Sequence, residues 1–152
     1  MPFLSSLDIS ASGLSAQRLR MDTIANNMAN AETTRNSNGT GPFRRQVVVF
    51  EARSAQPASK FKNIMQARIN QQVGNGVRVK EIRELNETEA PYRLVYEPSH
   101  PDADEQGYVN YPNVNIVEEM INMISATRAY EANAKVIEST KSMAASALQI
   151  GR

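Results

Sequence analysis

The chain has 152 residues, 17 basic and 16 acidic, giving a net charge of +1, and it contains no cysteine. That length suits one ordinary domain or one assembly unit. Near-neutrality without a basic tract speaks against nucleic acid and anionic membrane surfaces as partners, and the missing thiols exclude disulfides, thiolate catalysis and cysteine-ligated zinc.

The opening "MPFLSSLDIS" lacks a basic region followed by an apolar stretch, and no run is apolar for long enough to span a bilayer. The expectation is a chain that stays in the cytoplasm or leaves without a cleaved signal, and that does not insert into the membrane. Ser5 and Asp8 have the spacing of a capping box, which predicts a first helix from there to about residue 30. With Leu4 at heptad position a, the a row reads Leu4, Ala11, Arg18 and Ala25, and the d row Leu7, Leu14, Met21 and Met28. Gly13 inside this helix costs about 1 kcal/mol relative to alanine. The helix closes on "TIANNMANAETTR", where Asn26, Asn27 and Asn30 crowd a region that poor helix formers should avoid. Two readings stand for these amides: a C-terminal cap, or an organiser of the helix-to-loop junction that also touches a neighbouring subunit.

"RNSNGTGP", residues 35–42, is turn chemistry. Three strands are expected after it: "FRRQVVVF" from Phe43, "VRVKEIREL" from Val77 and "YRLVY" from Tyr92, with "GNG" at Gly74 to Gly76 as a turn. Residues 54–72 read as weakly ordered, either surface helix or loop. The polar run "YEPSHPDADEQG" offers Asp102, Asp104 and Gly107 at three positions of an EF-hand loop. Gln106 and Asn113 then stand where oxygen-rich ligands are needed, and Pro98 and Pro101 forbid the preceding helix. His100 is the only histidine, too few for a zinc triad. No nucleophile elbow and no phosphate loop are present. No metal, no cofactor and no catalysis are expected.

A second, longer helix is expected from Asn115, with Glu118 three residues on, to Gly151: about 35 residues and roughly 50 Å. Its d row is Ile116, Met123, Tyr130, Ile137 and Ala144, and its a row Met120, Thr127, Ala134, Lys141 and Leu148. Val117, Ile121 and Ile124 lie on one flank of that seam, and Val136, Met143 and Ile150 on the other. A helix apolar on more than one face must be covered on more than one face. Arg18 and Lys141 at a positions either fix register or snorkel to solvent. The fold expected is α+β: residues 1–34 and 114–152 pairing as a coiled coil, and residues 35–113 forming a small β-rich domain. The candidate subunit contacts are the seam residues Leu4, Leu7, Leu14, Arg18, Met21, Met28, Ile116, Met120, Met123, Tyr130, Ile137, Lys141 and Leu148, together with the three asparagines.

The segment "LDISASGLSAQRLRMDTIANNMANAETTR" resembles the N-terminal signature of the flagellar rod, hook and hook-associated axial proteins, and "NVNIVEEMINMISATRAYEANAKVIESTKSM" is similar to the second signature of that superfamily. "PSHPDADEQGYVNYPNVN" resembles the middle region of a proximal rod member. The resemblance implies an exported subunit that leaves through the flagellar type III apparatus. It would pack helically about the flagellar axis with other rod proteins and copies of itself where the rod crosses the periplasm. It also implies paired terminal helices lining an inner tube and an outer β-domain. The alternatives are another small rod protein, a soluble coiled-coil adaptor or export chaperone, which would fold stably alone, and a calcium-binding module.

Overall fold

The structure, a computed structural model, describes residues 2–36, 41–53 and 74–150, and of Pro2, Phe3, Leu4 and Ile150 the backbone only. The elements are α1 (Pro2–Ala29), β1 (Gln46–Ala52), β2 (Val77–Glu84), β3 (Arg93–Tyr96), β4 (Tyr108–Tyr111) and α2 (Ile116–Ile150). The fold is α+β, and among the described residues β1 pairs with β2 and β3 with β4 in two separate two-stranded sheets. Expectations that fall on residues 54–72, on Gly151 and on the Leu4 side chain lie outside the described residues.

Two boundaries differ by three residues each from the sequence reading, and one strand is additional. The first helix begins at Pro2 rather than at Ser5, because proline is well suited to a helix's first position, where no N–H partner is needed. The first strand begins three residues later than Phe43. The short strand β4, "YVNY", was not anticipated. It pairs antiparallel with β3, with Arg93 opposite Tyr111 and Tyr96 opposite Tyr108.

The chain divides into two compact units, each drawing on both helices and on the segment between them. Unit one comprises Met1–Leu19, Val49–Glu81 and Thr127–Arg152. Here Ser10, Ser12 and Ala16 of α1 and Thr140 of α2 are buried. Such small side chains let helices approach closely. Two of the polar ones bond to their own helix: the Ser12 hydroxyl donates to the Ile9 carbonyl (2.6 Å) and Thr140 to that of Val136 (2.6 Å). Gly13 faces Asn133, whose side-chain atoms would lie 2.9–3.0 Å from any Cβ placed there. The Val77 N–H donates to Ser12 Oγ (3.1 Å), which seats the start of β2 on α1. Gly76 has φ +94° and passes so close to Ser12 that a Cβ would collide with its hydroxyl.

Unit two comprises Arg20–Val48 and Ile82–Ala126. Its buried residues include Thr23, Ile24, Asn27 and Ala31 from α1 and its exit, Val109 from β4, and Glu119 and Ala126 from α2. Between β3 and β4 the chain turns on Gly107, with φ +82° and a missing Cβ that leaves room for the Tyr96 ring. The Tyr96 and Tyr108 rings meet edge to face at 5.3 Å.

The buried stripe of α1 runs Ser12, Ala16, Thr23 and Asn27, not along the expected a row, where Ala11, Arg18 and Ala25 are exposed. Leu7, Leu14, Met21 and Met28 are half-buried on its flank. On α2, Met123, Tyr130, Ile137 and Ala144 of the expected d row are half-buried, whereas Ile116 and, from the a row, Met120, Thr127, Lys141 and Leu148 are exposed. The spacing of the pattern holds and its phase is shifted, because the helices meet through small and polar residues rather than through the largest apolar ones.

Candidate assembly surface

The start of α2 is fixed by Asn115, whose side-chain oxygen accepts the N–H groups of Val117 (3.0 Å) and Glu118 (3.4 Å). Glu118 and Glu119 in the first turn complement the positive end of the helix dipole. From this start, Ile116, Val117, Met120, Ile121 and Ile124 spread over an arc of about 140° at 3.6 residues per turn. All five are exposed, Val117 to 64% and Ile121 to 63%. In unit two this is a continuous apolar surface on a helix that has already buried its opposite face.

Behind that surface is a polar cluster. Glu119 and Asn27 are each 1% exposed. Asn27 Oδ1 accepts the Gln46 N–H (2.9 Å) while its Nδ2 donates to the Gln46 carbonyl (2.8 Å), so the side-chain amide pairs with the first residue of β1 as another strand would. The same Nδ2 reaches Glu119 Oε2 (3.3 Å). Arg45 donates from Nε (2.8 Å) and from a terminal nitrogen to Glu119 Oε1. Its contact with exposed Glu118 is longer, 3.4 Å.

Asn26 and Asn30 do different work. Asn30 Nδ2 donates to the Asn26 carbonyl (2.9 Å) and to Asn26 Oδ1 (3.0 Å), and Asn30 Oδ1 accepts from the Thr33 hydroxyl (3.1 Å). Asn26 Nδ2 lies 3.4 Å from the Gln46 side-chain oxygen. The Asn26 carbonyl also accepts the Asn30 N–H (3.1 Å), so Asn30 doubles the bond that closes the last turn. The loop beyond is tied to the β3–β4 connection: Thr34 donates to Asp102 Oδ2 (2.7 Å), and Arg35 pairs with the other oxygen. The Thr34 hydroxyl, with Arg35 adding to it, holds the Asp102 carboxyl below its ordinary pKa against partial burial. Tyr111 donates to Glu97 (3.0 Å), a bond to the neutral phenol that raises the Tyr111 pKa.

The cation-ligand reading of "DADEQG" finds a different arrangement. Asp104 Oδ1 accepts the N–H groups of Gln106 (2.9 Å) and Tyr108 (2.8 Å), closing the turn, and Asp102 is engaged with Thr34 and Arg35. His100 Nδ1 accepts the Asp102 N–H (3.1 Å) and also shapes the turn. Among the described residues no group of three or more potential metal ligands is found, and no helix is long and apolar enough to cross a membrane.

In unit one, Val136 and Met143 are exposed on one flank of α2 and Leu148, at 76%, on the other. Arg128, Glu131, Lys135 and Glu138 line a shallow trough with Ala132 and Ala134, and Lys135 pairs with Glu138 at 2.7 Å. Of the candidate contact residues, Arg18, Asn26, Ile116, Met120, Lys141 and Leu148 are exposed, while Leu7, Leu14, Met21, Met28, Asn30, Met123, Tyr130 and Ile137 are half-buried and Asn27 is buried. Sequence reading missed Glu119 and Arg45, which carry no signal beyond charge until the fold places them. It also missed the exposed Leu94, Tyr96 and Tyr108 of the β3–β4 hairpin.

Residues 7–35 match the family described as "Flagella basal body rod protein", and residues 105–150 match "Flagellar basal body rod FlgEFG protein C-terminal". Over its full length the chain is similar to proteins named flagellar basal-body rod protein FlgC. The one from Borreliella burgdorferi is 48% identical over 99% of this chain and 98% of the relative. The one from Bacillus subtilis is 41% identical over 100% of both, and that of Salmonella typhimurium is 39% identical, again over 100% of both.

Proposed function

The chain belongs to the FlgC family of flagellar basal-body rod proteins, and from that premise we propose how it serves as a structural subunit of the rod. The exposed stripe from Ile116 to Ile124 is the surface on which a neighbouring rod subunit packs, and this stripe is the observation that carries the reading. Covering five half-exposed apolar side chains contributes on the order of 1 kcal/mol each, so the stripe supplies a large share of one subunit contact. Val136, Met143 and Leu148 in unit one extend apolar contact to further neighbours.

The likeness to the FlgC relatives supports a finer assignment. The subunit belongs to the proximal rod in the periplasmic space, assembles helically with copies of itself and other rod proteins, and reaches its place through the flagellar type III apparatus without a cleaved signal. Residues 1–34 and 114–152 form the inner domain and residues 35–113 the outer one. Of the candidate contact residues, Ile116 and Met120 sit on the stripe, and Lys141 and Leu148 on the later part of α2.

The test is substitution of Ile121→Asp and Ile124→Asp, singly. Both side chains are exposed, so helix content and urea midpoint stay near those of the unsubstituted chain, while rods fail to form and cells lose motility. Normal motility with both substitutions combined would remove the stripe from the interface.

A further inference from the structure

We infer that Arg45 and Glu119 form a latch that makes seating of the β1–β2 ribbon a precondition for closing the α1–α2 pair in unit two. Among the described residues Glu119 is the largest of the fully buried side chains. A carboxylate in such a place must be paired and hydrogen-bonded or it opposes folding. The helix pair alone supplies one partner, the Asn27 amide at 3.3 Å. The charged partner comes from outside the helices, in the residue that leads into β1.

Arg45 is itself held by the ribbon. Its carbonyl accepts the N–H of Leu85, the residue after β2, at 2.9 Å. Its neighbour Gln46 is gripped at both backbone groups by Asn27. The contacts therefore close a ring: α1 holds the start of β1, the residue before it neutralises α2, and α2 returns to the same asparagine of α1. A leucine at position 119 would let the helices bury that face without the ribbon. A glutamate does not, since closing without Arg45 strands a buried charge.

The experiment is amide hydrogen exchange on the full chain, followed from trimethylamine oxide into urea so that the closing transition is crossed whatever the stability of the dilute subunit. In the unsubstituted chain, residues 20–29, residues 116–126 and the first amides of β1 lose protection at one shared midpoint. Arg45→Met lowers protection in both helix segments by about a hundredfold, as loss of one partner of a buried pair requires. Adding Glu119→Leu, or the isosteric Glu119→Gln, to Arg45→Met restores helix protection to within about tenfold of the starting value, because the charge that needed the ribbon is gone. Simple loss of packing at Arg45 gives no such recovery. Separate midpoints, helix protection indifferent to Arg45→Met, or failure of both double variants to recover each overturns the latch.

Discussion

Three neighbouring asparagines near the end of α1 divide two tasks, and the side-chain direction of each decides which. Asn27 points inward and reproduces strand pairing with Gln46 while touching Glu119. Asn27→Ala removes three hydrogen bonds and leaves buried groups unpaired, at about 2–4 kcal/mol by urea denaturation. Asn27→Asp does worse, since a carboxylate then faces Glu119. Asn30→Ala loses only bonds within the cap and costs about 1 kcal/mol by the same measurement. The sequence marked this cluster as anomalous but could not separate its members, because that needs the phase of the buried face. Asp102 gives a pH prediction. Its carboxyl titrates below its ordinary value of 3.8 in the folded chain, so the tie to Thr34 and Arg35 stabilises fully above that value and is lost as pH falls through the lowered one. A carboxyl-carbon NMR titration shows the depressed midpoint, and Thr34→Val moves it back up.

At the level of elements, the expected helix spacing and the caps at Asn115 were legible, and so were β2 and β3 to within a residue. The phase of the seam was not, because ranking positions by apolarity favours Leu7 and Leu14 over Ser12 and Gly13, and only close helix approach makes the small residues the better choice. Strand β4 has four residues and follows a glycine turn, too short for alternation to stand out. Gly13 separates propensity from packing. Alanine there should stabilise an isolated helix by about 1 kcal/mol, yet its Cβ would press on Asn133. Gly13→Ala therefore lowers the urea midpoint of the chain, and Gly13→Ala with Asn133→Ala recovers it, a non-additivity of about 1–2 kcal/mol in a double-mutant cycle.

For the whole molecule, the apolar flanks of α2 noted in the sequence at Val117, Ile121, Ile124, Val136 and Met143 are all exposed in the folded chain, so the chain carries apolar surface beyond what its own fold buries. That excess was legible because it needs only helical periodicity, whereas the polar cluster beneath it depended on residues brought together from distant parts of the sequence. The same chain also carries two short ribbons, each of two strands among the described residues. A two-stranded ribbon has free backbone edges, and such edges template cross-β aggregation when many copies are crowded together. Strand β2, "VRVKEIRE", sets Arg78, Lys80, Glu81, Arg83 and Glu84 along its eight residues, nearly all exposed. Lys80→Val with Arg83→Val leaves the fold in place but shortens the lag before thioflavin-positive fibrils appear in a concentrated solution. A rod subunit that assembles with its neighbours has to be prevented from polymerising through its strands, and on β2 that insulation is a row of charges.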